Sequence, residues 1–221
     1  MKILAIDTAT EACSAAILSN ESLLERFEVA PRRHAELILP MVDALLAESG
    51  LKLADLDALA FGRGPGAFTG VRIATGVIQG LAYGGRLPVI PVSTLAALAQ
   101  GAADRAGHML SAIDARMGEI YWCAFRQNTD NLVAPLTEEA VSRPAELIVK
   151  EDHAYYGIGT GWKSYERELT ALLGEKYAGH DGEAYPRARD IVKLAAREYR
   201  EGRTVPADKA LPVYLRNRVT D

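Results

Sequence analysis

Two short polar runs carry the residue types that handle phosphate. Asp7-Thr8-Ala9-Thr10 follows one apolar run, and Asp114-Ala115-Arg116 follows another. Hydroxyls and backbone N–H groups in a tight loop can hold a phosphate, and an aspartate can hold its magnesium. The same residues also close hairpins through local side chain–backbone hydrogen bonds, which is the commoner use. Residues 62–70 are glycine-rich and precede a helix-compatible stretch, an order that suits an anion at a helix N-terminus. They lack both the Gly-Lys-Ser/Thr ending of a P-loop and the dinucleotide glycine spacing. Gly157-Ile158-Gly159-Thr160-Gly161 could approach an adenine, although turn glycines are the blander explanation. His34, His108, His153 and His180 stand apart, with no pair at helix-face spacing, so no metal site is read. Sequence proximity supports no Ser-His-Asp or Cys-His set either, and no catalytic residue is assigned.

The elements that must position these runs follow from periodicity. Residues 2–6, 13–18 and 22–29 read as strands around the Asp7 loop, with Asn20 supplying turn chemistry. Leu37, Ile38, Met41, Val42, Leu45 and Leu46 recur at a 3.6 period, predicting a helix over 34–49 that ends at Gly50. Pro40 should kink that helix or mark a late start. Residues 56–62 read as a strand, 66–83 as a helix and 88–92 as a strand, and Ser93 caps a helix to about residue 103. Residues 102–107 read as a linker, after which the pattern restarts. MLSAIDARMGEIYWCAF mirrors ILAIDTATEACSAAIL as apolar strand, Ala-Ile-Asp, loop, strand. That repeat points to duplication and to two related halves, 1–105 and 106–221. In the second half, 132–141 alternates irregularly and 144–149 suggests a short helix. Residues 163–173 and 188–200 read as helices, and 211–216 as an extended tail.

The helix over 66–83 is unusual. Small residues fall four apart in two rows, Gly66-Gly70-Ala74 and Gly76-Gly80-Gly84, while Val71, Ile73, Val77, Ile78 and Leu81 are apolar nearly all round. A helical glycine costs roughly 0.5–1 kcal/mol against alanine, and close approach of another backbone is the usual return. The spacing does not say which row faces outward.

Composition sets limits. The 221 residues carry a net charge of −4, which gives no overall pull toward nucleic acid or anionic membrane. The opening MKILAID reads as a strand rather than a targeting peptide, and the two cysteines sit in apparent strands, so a cytoplasmic protein without disulfides is expected. From Arg187 onward nine Lys/Arg face five Asp/Glu, a basic tail that could touch RNA phosphate or simply be solvated.

Asp7-Thr8-Ala9-Thr10, His34 with Leu39-Pro40, and Gly64-Pro65-Gly66-Ala67-Phe68-Thr69-Gly70-Val71-Arg72 together resemble the TsaB (YeaZ) family. So do Pro91-Val92-Ser93, Asp114-Ala115-Arg116 with Glu119-Ile120-Tyr121, and Tyr214-Leu215-Arg216. The resemblance implies an α/β, actin-like, sugar-kinase-type (ASKHA) fold of two related βα halves. It implies a non-catalytic partner of TsaD, the transferase that puts a threonylcarbamoyl group on N6 of the adenosine next to the tRNA anticodon. TsaD holds its metal with a His-x-x-x-His pair, and this chain has only His34 in that region. A direct heterodimer with TsaD is implied, with TsaE as a further component, tRNA reached through the complex, and a homodimer when alone. The implied interface uses His34, Leu37, Ile38, Met41, Gly66, Phe68, Thr69, Gly70, Val71, Arg72, Ala74, Thr75 and Ile78. ATP or ADP is implied near that interface, with no cofactor required by this chain, and Asp7, Thr8, Thr10 and Asp114 would be remnants of a nucleotide site. An ATP-dependent small-molecule kinase of the same fold and a stand-alone RNA-binding protein are the alternatives.

Overall fold

The computed structural model of the chain describes residues 1–20, 22–149 and 153–216. Two compact units emerge, one from residues 1–97 with 186–213 and one from 98–185 with the segment from 214. The expected boundary at 105/106 is therefore displaced, and a C-terminal segment returns to the first unit. The reason is packing: helix α6 (Ala188–Arg200) buries Ala188, Ile191, Val192, Leu194 and Ala195. Its apolar face lies on the first sheet, a tertiary partnership that no local signal announces.

The first sheet has the order β3-β2-β1-β4-β5, built from β1 (Lys2–Asp7), β2 (Ala12–Ser19), β3 (Ser22–Val29), β4 (Ala58–Gly62) and β5 (Val89–Val92). β1, β2 and β3 pair antiparallel, and β4 and β5 run parallel to β1. The central strands are buried on both faces, which is why they read as continuous apolar runs rather than alternating ones. One face packs on α1 (His34–Ser49) and α2 (Phe68–Gly85), and the other on α6. In α1, Ile38, Val42 and Leu45 are fully buried, each contributing roughly 1.5–3 kcal/mol. The helix runs unbroken through Pro40, which forfeits only its own N–H bond and sits on the exposed face. Gly50 closes it at φ 66° with its N–H on Ala47 and Leu46 carbonyls.

The second sheet has the order β11-β10-β6-β7-β8, from β6 (His108–Arg116), β7 (Glu119–Gln127), β8 (Val133–Pro135), β10 (Tyr155–Ile158) and β11 (Tyr177–Asp181), with β9 (Ala140–Ser142) pairing β7 off that path. Numbered within its own unit, the first sheet reads third-second-first-fourth-fifth and the second third-second-first-fifth-sixth, its fourth strand β9 standing off the path, so with β9 set aside both have an opening antiparallel hairpin and two parallel strands beside it. The duplication read from the two Ala-Ile-Asp starts is thus real at the level of topology. α3 is shorter than expected (Thr94–Gln100), and Ser93 caps it by accepting the Ala96 N–H at 3.2 Å. The helix expected over 163–173 is two, α4 (Thr160–Ser164) and α5 (Glu166–Leu173), broken where Tyr165 leaves helical geometry at φ −132°. Residues 144–149 form only a 3₁₀ turn, Pro144–Glu146. Among the described residues no helix is long and apolar enough to cross a membrane.

The helix expected from 66 begins at Phe68, and the two small-residue rows separate completely. A Cβ on Gly66 would meet the Ala9 carbonyl oxygen at 2.3 Å, and one on Gly70 the Thr8 carbonyl oxygen at 2.0 Å. A Cβ on Gly76, Gly80 or Gly84 would meet nothing within 4 Å. Gly70→Ala should therefore destabilise the protein by about 2–3 kcal/mol through overpacking, whereas Gly80→Ala should be neutral or stabilising by about 0.5–1 kcal/mol. Urea denaturation of the two variants checks this, and equal stabilities would contradict the assigned helix face.

Candidate functional site

Two regions hold the residues that the sequence singles out: the polar loop after β1, and the α1–α2 surface. The loop is closed by its own unit. Thr8 Oγ1 donates to the Gly70 carbonyl at 2.7 Å, the Ala67 N–H donates to the Ala9 carbonyl at 2.7 Å, and Thr10 Oγ1 accepts from the Ala12 N–H at 3.4 Å. Asp7, Thr8 and Thr10 are all buried. The hydroxyls proposed for phosphate are thus spent on the loop and on the first turn of α2, which corrects the expectation of an open phosphate loop.

Asp7 is the exception in that network. Its Oδ1 accepts the Ala9 N–H at 3.1 Å, while its buried Oδ2 has no partner. A Cβ on Gly62 would come within 1.8 Å of that oxygen and 3.4 Å of Ile191 Cδ1, so the carboxyl lies between the β4 backbone and α6. Burial pushes the carboxyl up to about 7, with the Ala9 N–H pulling the other way. Asp114, at the equivalent place in the second unit, is fully engaged. It accepts the Arg116 N–H at 2.7 Å and the Ser164 hydroxyl at 2.9 Å, and pairs with the Arg116 guanidinium at 3.3 Å. Gly157, Gly159 and Gly161 do not open toward a base. A Cβ on Gly157 would strike the Trp162 ring at 2.2 Å, and the other two lie against Ala112. Trp162 is wholly buried, its indole N–H on the Leu110 carbonyl at 2.9 Å. These glycines pack the unit's own core, with Gly157 in β10 and Gly161 in α4 rather than in a turn.

The surface of α1 and α2 corrects the predicted interface in detail. His34, Ile38, Gly70, Val71, Ala74, Thr75 and Ile78 are buried within their own unit: Gly70 lies against the Thr8 carbonyl, and Ile38, Ala74 and Ile78 belong to its hydrophobic core. Gly66 is partly covered by the same contact. Leu37 and Met41 are half-buried, and Phe68, Thr69 and Arg72 are exposed, with the Arg72 guanidinium 3.7 Å from the Phe68 ring centre. The outward row is 76-80-84. Beside it stands Tyr83, 85% exposed, and α1 adds Leu39 at 46%. Leu39 and Tyr83 were missed because the 3.6 period that locates a core face cannot say which apolar residues fall off it. The C-terminal segment is also more structural than its charge suggests. Arg216 is largely buried, donating to the Ala115 and Arg116 carbonyls at 3.0 and 3.4 Å and pairing with Glu119. Of the basic residues counted from Arg187 onward, Arg218 lies outside the described residues. Among the described residues, no three His, Cys, Asp or Glu side chains converge as a metal site would require.

Comparison with known proteins agrees with this geometry. The family model described as "TsaD: tRNA N6-adenosine threonylcarbamoyltransferase" matches residues 16–217. A protein of Escherichia coli K12 named tRNA threonylcarbamoyladenosine biosynthesis protein TsaB is 45% identical, over 99% of this chain and 96% of that one. Its namesake in Haemophilus influenzae is 42% identical over 100% and 95%. The solved structure of YeaZ from Pseudomonas aeruginosa superposes with a TM-score of 0.90 at 45% identity, covering 97% of this chain and 99% of that one. The repeated strand order and the family match define an actin-like, sugar-kinase-type protein of the TsaD class. Within that class, the chain belongs to the TsaB (YeaZ) family.

Asp7 generates a pH prediction. Its folded pKa lies near 7, above the ordinary aspartate range, so the folded state binds the extra proton between the two. Stability should fall as pH rises through that window and level off above it. Relative to Asp7→Asn, the native protein should lose about 2–4 kcal/mol from about pH 4 to about pH 8. Denaturation at both pH values checks this, and a parallel pH dependence of the two proteins would show that Asp7 titrates normally.

Proposed function

We propose that the chain is the non-catalytic partner subunit of TsaD in tRNA threonylcarbamoyladenosine biosynthesis, where a threonylcarbamoyl group is transferred to N6 of the adenosine next to the anticodon. The observation that carries the docking surface is the open row Gly76-Gly80-Gly84 on α2, flanked by exposed Tyr83, beside a row that is closed. Three glycines on one helix face with no neighbour gain nothing within the chain. They suit a second backbone brought into close contact. TsaB relatives over the full length of the chain supply the pathway. The role without catalysis is supported by the residue four beyond His34, where a second histidine would stand: it is Ile38, an aliphatic side chain fully buried in the core.

On this reading TsaE completes the set and tRNA is met through the complex. ATP or ADP belongs near the interface rather than in the closed Asp7 loop, and the protein works in the cytoplasm. The same helix surface would serve a homodimer when TsaD is absent. The direct test is threonylcarbamoyl transfer to tRNA by purified TsaD and TsaE with threonylcarbamoyl-adenylate supplied, in the presence and absence of this protein. Activity that appears only on its addition, with none from this protein alone, is expected. Activity independent of it would remove the proposed role. Gly80→Leu should weaken TsaD binding by about tenfold or more, roughly 1.4 kcal/mol, without lowering the melting temperature. Unchanged affinity would move the interface off this face.

A further inference from the structure

The outer face of α6 is as uniform as its buried one. Arg189, Lys193, Arg197 and Arg200 recur at i, i+4, i+8 and i+11. At 3.6 residues per turn they fall within about 80° of one another. Ile191, Val192, Leu194 and Ala195 lie on the other side of the helix and are buried. Residues 188–203 hold five Lys or Arg against three Asp or Glu, a net of +2 in a chain of net −4. The acidic side chains sit low beside the basic row. Asp190 is buried and Glu198 half-buried, whereas the side chains of Arg189 and Lys193 are 46% and 38% exposed and Arg200 is exposed.

Part of this row answers to the helix itself. Lys193 pairs with Asp190 at 2.9 Å, and Arg197 and Arg200 stand in the last turn, where cations suit the helix dipole. Glu198 lies 3.6 Å from Arg197 and is bonded twice by Arg203. Arg189 has no such return. It stands in the first turn, where the dipole opposes a cation. Asp190, 3.9 Å away, is already held by Lys193. Arg200 makes no ion pair among the described residues. Four cations in one row, two of them without a close anion of their own, suit an anion supplied from outside the chain.

We infer that this row holds the phosphate backbone of the tRNA, an assignment that rests on the role proposed above. Members four apart rise about 6 Å along the helix, a step of the same order as that between neighbouring phosphates of one strand. A strand running along α6 therefore meets a cation at each step. Such contacts position the nucleic acid and read no bases. An anionic membrane fits this helix less well. A helix that lies on a membrane buries its apolar face in lipid, and the apolar face of α6 is spent on the first sheet. The place of α6 also leaves the proposed docking helix free. α1 and α2 cover one face of that sheet and α6 the other, so TsaD on the glycine row and tRNA on the basic row do not compete for one surface. Four contacts on a chain of net −4 are too few for tight binding alone, and they add to those made elsewhere in the complex.

Fluorescence anisotropy of labelled tRNA with the complex of TsaD and this chain, across a potassium chloride series, tests the row. The variant is Arg189→Gln with Arg200→Gln, which leaves Asp190 its Lys193 and should keep the native melting temperature and affinity for TsaD. Each phosphate contact contributes about 0.7–0.9 to the slope of log K on log salt, so the double variant should flatten that slope by about 1.5. The native advantage should then shrink about eightfold between about 50 and 200 mM salt. A tRNA without the target adenosine should lose as much, and Arg189→Lys with Arg200→Lys should restore the native slope, because a phosphate needs only the charge. An unchanged slope with TsaD still bound overturns the inference. So does binding of the native chain to phosphatidylserine vesicles that the glutamine variant loses while its tRNA slope stays native, which would give the row to a membrane. Failure of the native chain to bind TsaD would instead remove the role proposed above. The same slope difference, read at low salt on this chain alone, then decides the row.

Discussion

The first unit turns on the close approach of one helix end to one loop. The opening turn of α2 and the loop after β1 meet backbone to backbone. The Ala67 N–H is on the Ala9 carbonyl, the Thr8 hydroxyl is on the Gly70 carbonyl, and Gly66 and Gly70 leave no room for a Cβ. Three consequences follow from that contact. It fixes the rotation of α2, so Val71, Ala74 and Ile78 enter the core. It leaves Gly76, Gly80 and Gly84 facing outward with nothing against them. It also consumes the polar groups of the loop that would otherwise be free for a ligand. The strongest motif in the sequence is therefore first a structural clasp. The open glycine row lies on the opposite side of the same helix.

A second constraint acts on the far face of the sheet, where α6 is held by its N-terminus. Ser14 on β2 accepts the Ala188 N–H at 2.9 Å, and Glu25 on β3 accepts the Arg189 N–H while its carboxylate is forked by Arg187. Side chains from the sheet thus satisfy the orphan donors of a helix more than 160 residues away in sequence. The negative charge of Glu25 also suits the positive end of the helix dipole. This anchoring draws residues 186–213 back to the first unit and lays Ile191 beside Asp7. Asp7 is left with one oxygen bonded and one buried without a partner, the arrangement that raises its pKa.

The second unit repeats the strand order but fills it differently. Asp114 stands where Asp7 stands and spends its carboxylate on Arg116 and Ser164. The glycine run 157–161 makes way for Trp162, whose ring fills the space that a side chain on Gly157 would need. Two halves with one topology have thus kept the aspartate at the end of the first strand and turned its surroundings to internal packing.

Much of this was legible in the residues. The apolar runs marked β1, β2, β3, β4 and β6, the 3.6 period marked α1, 188–200 read as a helix, and the second Ala-Ile-Asp start announced the duplication. Each of these is a local signal, set by burial pattern and turn chemistry within a few residues. β11 was not marked, because Tyr-Ala-Gly-His-Asp has no apolar run and becomes a strand only beside β10. Spacing also showed that α2 carries two rows of small residues, but a row has the same spacing whether it faces a core or a solvent. Only the tertiary structure decided that 66-70-74 turns inward, that the Asp7 loop is closed, and that α6 belongs to the first unit. Each of those outcomes depends on a contact between residues far apart in the chain, and a sequence read in order carries no record of which distant backbone will arrive.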